Sequence, residues 1–296
     1  MDILFIVNPV AGKGNCDFVI GKIKEQMDFF HIPYKIKLTT RKNEAEEIAK
    51  DAVIKGYEKI VAVGGDGTIY EVVNGMIGSS ASLGVIPSGT GNDFVRTVGI
   101  PNDLEKALNV IAYGKKVQID CGKVNDRYFV NVASIGLDAE IVKETENIKK
   151  YLSGSWAYMG GLLKTLFSYK HKRVNMNIDG SKKNKNITLV AVANGKYYGG
   201  GMKIAPMADI KDGDFQVCIV DKISKFKLMR VFPKIFSGEH VHYDEVDMHK
   251  GKQVKIKSDE HLSINLDGDI IGKSFNVYFQ MVPEGLKVLV PQDNIM

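Results

Sequence analysis

Chemistry is most legible in three glycine-rich stretches: Asn8-Pro9-Val10-Ala11-Gly12-Lys13-Gly14, Gly64-Gly65-Asp66-Gly67-Thr68 and Pro87-Ser88-Gly89-Thr90-Gly91-Asn92-Asp93. Glycine lets the backbone approach a ligand closely and adopt positive φ, and a helix starting just after such a loop presents N–H groups to phosphate. One loop of this kind is an ordinary strand-to-helix turn. Three of them predict a phosphate-binding edge. The first lacks the GxxxxGK[ST] spacing of a P-loop. In the second, a carboxylate between glycines would repel phosphate, so Asp66 implies either an intervening Mg²⁺ or a hydrogen-bonded role in shaping the loop.

A second candidate is the acidic pair Asp267 and Asp269, placed around Gly268 after the alternating run Leu262–Leu266. Residues i and i+2 of an extended chain share a face, which would aim both carboxylates into one cleft. A hairpin turn explains the same spacing. His240 and His242 have no evident third metal ligand and read as surface strand residues. Cys16, Cys121 and Cys218 form neither a CxxC pair nor a metal spacing, and read as idle or buried thiols.

The elements that must position these residues follow from hydrophobic periodicity. Strands are expected at Ile3–Val7, Tyr34–Leu38, Lys59–Val63 and Leu83–Ile86. Helices are expected at Phe18–Phe30, Asn43–Lys55, Ile69–Met76 and Leu104–Tyr113. Such alternation predicts a parallel α/β sheet, and the three loops stand at the carboxyl ends of its strands, where ligands of open sheets bind. Beyond Val117 the pattern turns to period two, in Arg127–Ala133, Arg173–Asp179, Ile187–Ala193, Phe215–Asp221, Gln253–Lys257, His261–Leu266 and Phe275–Met281. That is the mark of an antiparallel sandwich. Two helices, Trp156–Tyr169 and Ser224–Phe236, interrupt it. The expected architecture is therefore α/β plus β, a parallel-sheet α/β nucleotide domain followed by a mainly antiparallel β-sandwich. The α/β domain takes residues 1–120 with the closing segment 285–296 returning to it, and the sandwich takes 121–284.

Length and charge agree. At 296 residues the chain suits two domains, and 44% hydrophobic with 25% charged residues excludes collagen-like, coiled-coil and disordered classes. No apolar run approaches the ~18 residues of a membrane span, and Met1–Asn8 reads as a first strand and not as a secretory leader. A cytoplasmic location is expected. Forty Lys+Arg against 35 Asp+Glu give +5, too mild to argue for nucleic acid. The excess is local: between Lys164 and Thr188 seven cations face one acid, Asp179. With the apolar run that begins at Trp156, this basic stretch suits peripheral contact with an anionic membrane surface; an amphipathic helix packed on the sandwich is the alternative.

Gly64-Gly65-Asp66-Gly67-Thr68 with Glu71 and Asn74, followed by Pro87-Ser88-Gly89-Thr90-Gly91-Asn92-Asp93-Phe94, resembles the diacylglycerol kinase catalytic family, which includes bacterial lipid kinases, sphingosine kinases and ceramide kinases. The first motif alone is shared with NAD kinases; the second narrows the choice to lipid kinases. The resemblance continues through Asn194-Gly195, Gly199-Gly200-Gly201, Ala205-Pro206, Asp212-Gly213 and Leu266-Asp267-Gly268-Asp269. It implies an ATP-dependent lipid kinase, with diacylglycerol as the first acceptor to expect and ATP held between the domains. The implied nucleotide positions are Asn8, Thr39, Gly64, Gly65, Asp66, Gly67, Thr68, Glu71, Thr90 and Asn92. The resemblance also implies a structural Mg²⁺ held by one aspartate side chain and two carbonyls, here Asp212 flanked by Asp209 and Asp214. A plain Asp-Gly turn is the other reading of that segment. The general base is implied at the acidic pair. Bacterial members carry L-D-G-E, and this chain has Asp269 in place of Glu; its carboxylate is retracted by about a methylene, which brings Asp267 forward as partner or replacement. The partners implied are ATP, a lipid, an anionic membrane surface and a second copy of the chain, with no nucleic acid. The readings to be separated from this one are an NAD kinase-like phosphotransferase and a non-catalytic module that senses nucleotide or lipid.

Overall fold

The computed structural model describes residues 3–137 and 171–293, so the expected helix Trp156–Tyr169 lies outside the described residues. The chain divides into two compact units, Met1–Cys121 with Pro283–Met296, and Gly122–Val282. It crosses from one to the other within β5 (Lys115–Val124) and again within β13 (Asp269–Val290).

The first unit alternates strand and helix: β1 (Ile3–Val7), α1 (Cys16–Phe29), β2 (Tyr34–Leu38), α2 (Glu44–Ile54), β3 (Lys59–Gly64), α3 (Asp66–Met76), β4 (Ser82–Pro87), α4 (Asp93–Thr97) and α5 (Leu104–Tyr113). β1 pairs in parallel with β2 and β3, and β3 pairs in parallel with β4. Every residue of β1 and β3 is buried, as a strand covered on both faces requires. Phe5, Val61, Val63 and Ile86 pack with Ile23 and Met27 of α1 and with Leu108 and Ile111 of α5. Asp103 caps α5 by accepting the Lys106 N–H at 2.9 Å. The last strand completes this unit: Lys287 and Val288 of β13 pair in parallel with Ser82 and Leu83. The Asp120 carboxylate accepts the Glu284 N–H at 2.8 Å, fixing the entry of that segment.

The second unit comprises β6 (Arg127–Phe129), β7 (Val132–Gly136), β8 (Lys172–Ile178), β9 (Ser181–Ala193), β10 (Phe215–Asp221), α6 (Lys225–Val231), α7 (Lys234–Ser237), β11 (Val246–Gly251), β12 (Gln253–Leu266) and most of β13. Its neighbouring strands run antiparallel, in the order β11-β10-β9-β7-β12-β13, with β8 paired to β9 and β12. Three expectations are corrected here. Gln253–Lys257 and His261–Leu266 form one strand, because a register shift between Lys257 and Leu262 absorbs the break in alternation without ending the ladder. The expected helix Ser224–Phe236 divides at Pro233, which has no N–H to continue it. His240 is not a surface strand residue: it lies 1% exposed in a 3-10 turn, with Nε2 3.1 Å from the Ile204 carbonyl. Burial pushes its pKa down.

The α2–α3 contact leaves no room for a side chain at Gly75. A Cβ there would lie 2.4 Å from the Glu46 carbonyl oxygen and 2.7 Å from the Ala49 Cβ. Gly75→Ala is therefore expected to push α2 away and destabilise the first unit by about 1–3 kcal/mol, read as a lower midpoint in thermal unfolding followed by circular dichroism.

Candidate active site

The three glycine loops of the first unit are tied into one edge by short polar side chains. Asn8, at the end of β1, donates from Nδ2 to Thr68 Oγ1 at 3.1 Å and accepts the Val10 N–H on Oδ1 at 3.2 Å. Thr39, at the end of β2, is buried and its N–H donates to the Val7 carbonyl at 2.9 Å. Gly64 fits only as glycine, since a Cβ there would fall 2.3 Å from Thr68 Oγ1. The second and third loops meet backbone to backbone: a Cβ on Gly89 would come within 2.6 Å of the Gly65 Cα.

Asp66 is the centre of this edge. Its Oδ1 accepts the N–H groups of Asp93 at 2.9 Å and Phe94 at 3.2 Å, at the start of α4. The carboxylate is thus turned into the third loop and held there by the α4 amides. Of the two roles left open by its position among glycines, the geometry is that of a loop clip. Burial, and then the neighbouring Asp93 carboxylate, push the Asp66 carboxyl up to about 6, while the N–H groups it accepts pull the other way. Asp93 is itself buried and paired with Arg96 at 3.1 Å.

With Asp66 turned aside, the first turn of α3 opens onto the loops. Its N-cap, Gly65, supplies no side-chain acceptor, and the helical ladder begins only at the Ile69 N–H. The N–H groups of Asp66, Gly67 and Thr68 have no helical acceptor, and they stand at the positive end of the helix dipole. Gly67 and Thr90 are exposed beside them, while Asn92 holds φ at +50° before α4. A helix start of this kind, with free amides beside glycine, is suited to an anion such as phosphate. Glu71 faces elsewhere. Its two oxygens accept the N–H groups of Asn43 at 2.9 Å and Ala45 at 3.1 Å, so it caps the start of α2.

In the second unit, Asp267 and Gly268 form the two-residue turn of the β12–β13 hairpin, both with positive φ, and Leu266 pairs with Asp269 across it. The shared-face argument, which assumed an extended chain, is therefore corrected: the two carboxylates flank a type I′-like turn. The Asp267 carboxylate accepts three consecutive N–H groups, from Val130 at 2.7 Å and from Asn131 and Val132 at 2.9 Å each. Its own N–H donates to the Val132 carbonyl at 3.0 Å. Asn194 grips the same segment, with Nδ2 on the Val130 carbonyl at 2.8 Å and its N–H on the Asn131 carbonyl. Asp267 and Asn194, 73 residues apart in sequence, thus converge on 130–132, a target that nothing in the alternation pattern marked. Asp269, half-buried, begins β13 beside this anchored turn.

Asp209, Asp212 and Asp214 lie in the loop before β10. No group of three acidic, histidine or cysteine side chains suited to a metal occurs among the described residues. Asp209 Oδ1 accepts the Lys211 N–H and Asp212 Oδ1 the Asp214 N–H, each at 3.0 Å. Asp212 Oδ2 pairs with Lys250 at 2.8 Å. The donors are all oxygen, which suits a hard cation with Asp212 as its side-chain ligand, and Lys250 supplies the counter-charge at that carboxylate.

A parallel α/β unit that carries the three glycine loops is thus joined in sequence to an antiparallel β-rich unit with an anchored acidic turn. The diacylglycerol kinase catalytic domain pattern matches residues 2–124, and that of the YegS C-terminal NAD kinase beta sandwich-like domain matches 131–290. The chain belongs to the diacylglycerol kinase family. It is 32% identical over 280 residues to the diacylglycerol kinase of Bacillus subtilis, covering 92% of each chain. It is also 32% identical over 290 residues to that of Staphylococcus carnosus, covering 97% of this chain and 94% of the other. A crystal structure from Bacillus anthracis shares the fold at TM-score 0.81 and 24% identity, over 98% of this chain and 97% of its own. A second, described as a diacylglycerol kinase, does so at 0.77 and 22%, over 98% and 96%.

The clip makes two predictions. Asp66→Asn keeps an acceptor for the α4 amides and loses only the charge, whereas Asp66→Ala loses both. The Ala variant is expected to lose about a hundredfold in phosphoryl transfer through misaligned loops, and the Asn variant to keep most of its activity; equal losses would point to the charge instead. The raised carboxyl also links stability to pH. The folded state disfavours ionisation, so this group's contribution falls as pH rises from about 4 to about 6. Melting curves should show Asp66→Asn gaining on the parent across that window, by up to about 3 kcal/mol above pH 6, and matching it near pH 4.

Proposed function

We propose that the chain transfers the γ-phosphate of ATP to the hydroxyl of a membrane lipid, diacylglycerol first, at the cytoplasmic face of a bilayer. The observation that carries the reading is the cradle at the start of α3, cleared of negative charge by the Asp66 clip. In this reading the parallel α/β unit takes the nucleotide and the antiparallel unit, a β-sandwich, takes the acceptor. Asn8, Thr39, Gly64, Gly65, Gly67, Thr68, Thr90 and Asn92 form the nucleotide edge, while Asp66 and Glu71 act on it through the loops they hold. Mg²⁺ bound with ATP would neutralise the phosphate oxygens. Phosphoryl transfer needs alignment and charge neutralisation more than covalent chemistry, which suits a site made of backbone amides and hydroxyls.

Asp269 takes the acceptor's proton. Asp267 is the positioning residue beside it, a division supported by the three amides that occupy the Asp267 carboxylate. Asp269→Asn is expected to lower kcat by about 10²–10⁴-fold with ATP affinity little changed. Asp269→Glu should retain activity. The assay is transfer of labelled phosphate to diacylglycerol in detergent micelles, with NAD⁺ as the competing acceptor. Label on NAD⁺ would favour an NAD kinase-like reaction, and label on neither would favour a sensing module.

A structural Mg²⁺ at Asp212, with main-chain carbonyls of Asp209 and Asp214, would replace the Lys250 ammonium and stiffen the loop. Asp212→Asn should then raise the Mg²⁺ concentration needed for half-maximal rate, and Lys250→Met should lower it. A metal titration in which neither variant moves would return the segment to a plain turn.

A further inference from the structure

Helices α6 and α7 carry apolar side chains on both faces. Leu228, Val231, Phe232 and Ile235, at i, i+3, i+4 and i+7, are buried in a core shared with Met202, Ile204, Ala205 and Ala208. That stripe is all an amphipathic surface helix requires, and the opposite face should be polar. Instead it exposes Phe226 at 88%, Met229 at 52% and Phe236 at 49%, with Met207 at 76% on the neighbouring segment. α7 is held to that segment by the bond from the Lys203 N–H to the Ile235 carbonyl at 2.9 Å. From Lys222 to Gly238 the sequence has five cations and no carboxylate. Lys227 is paired with Glu245, and Lys234 with Glu239. Lys222, Lys225 and Arg230 are exposed around the apolar stripe.

We propose that this outer face of α6 and α7 seats the protein on the surface of an anionic lipid bilayer. Exposed Phe and Met at the centre enter the headgroup–acyl boundary, and the surrounding cations meet anionic headgroups. Contiguous apolar exposure of this kind marks an interaction surface. The charge decides which one. Two-fold pairing with a second copy would set Lys222, Lys225 and Arg230 against themselves, whereas an anionic bilayer complements them. The inference rests on the lipid-kinase reading only for why a bilayer is met at all. The cations of this face adjoin the basic stretch the sequence marked, since the Lys222 N–H donates to the Asn186 carbonyl at 2.8 Å.

The test is sedimentation of the full chain with phosphatidylcholine vesicles, with and without about a third phosphatidylglycerol, at low and high salt. The parent protein is expected to bind the anionic vesicles and to release as salt screens the cations. The triple variant F226S/M229S/F236S should bind at least about tenfold more weakly, with an unchanged circular dichroism spectrum and unchanged phosphorylation of diacylglycerol in detergent micelles. K225E/R230E should lose the preference for anionic vesicles. Equal binding by parent and triple variant, or no vesicle binding by the parent, overturns the proposal. So does a parent dimer in sedimentation velocity that the triple variant abolishes, which would assign the face to a second copy. Failure of the lipid-kinase reading shows separately, as absence of micellar activity in the parent.

Discussion

The first unit depends on the hydrogen bonds from the α4 amides to the Asp66 carboxylate. They join two loops that have no side chains at their point of contact, since a Cβ on Gly89 would fall 2.6 Å from the Gly65 Cα. They also satisfy the start of a five-residue helix too short to hold itself. Above all, they turn a negative charge away from the amides of α3. A glycine loop with an acid in its motif can offer its amides to an anion only when that acid is engaged elsewhere, and here it is engaged by a second helix start.

The second unit uses the same device at larger scale. Asp267 collects three successive amides of one strand junction, and Asn194 takes the carbonyls between them. Glu71 does likewise for α2. In each case a carboxylate in a motif acts through backbone it immobilises. Residue type alone suggests that every motif acid touches substrate or metal. The hydrogen bonds sort them.

This sorting marks the limit of what was legible. The short buried strands β1, β3 and β4 and the amphipathic α5 announce themselves by period and length. The three loops were legible as well, because glycine clusters after such strands have few other uses. The destinations of Asp66, Glu71 and Asp267 were not, since each ends on backbone 26 or more residues away in sequence. The extended-strand argument for Asp267 failed because Asp-Gly favours positive φ, and a turn there overrides alternation. β11 escaped notice because its sequence, VDMHKG, is polar and only its ends are buried. The fusion of two short runs into β12 escaped for a different reason: the register shift hides continuity from any period-two pattern.

The parallel pairing of β13 with β4 bears on how the chain is made. The first unit is interrupted, taking its last strand from residues that follow the whole of the second. During synthesis the edge of β4 therefore stays open while some 160 residues emerge and fold between. Leu286, Val288, Leu289 and Val290, all buried in the finished protein, arrive only after the second unit. A ribosome that stalls before Pro283 releases a first unit with a bare sheet edge, the kind that pairs with other chains. The sheet that carries the glycine loops is thus closed only when the last strand docks, which makes that strand a checkpoint on the whole first unit.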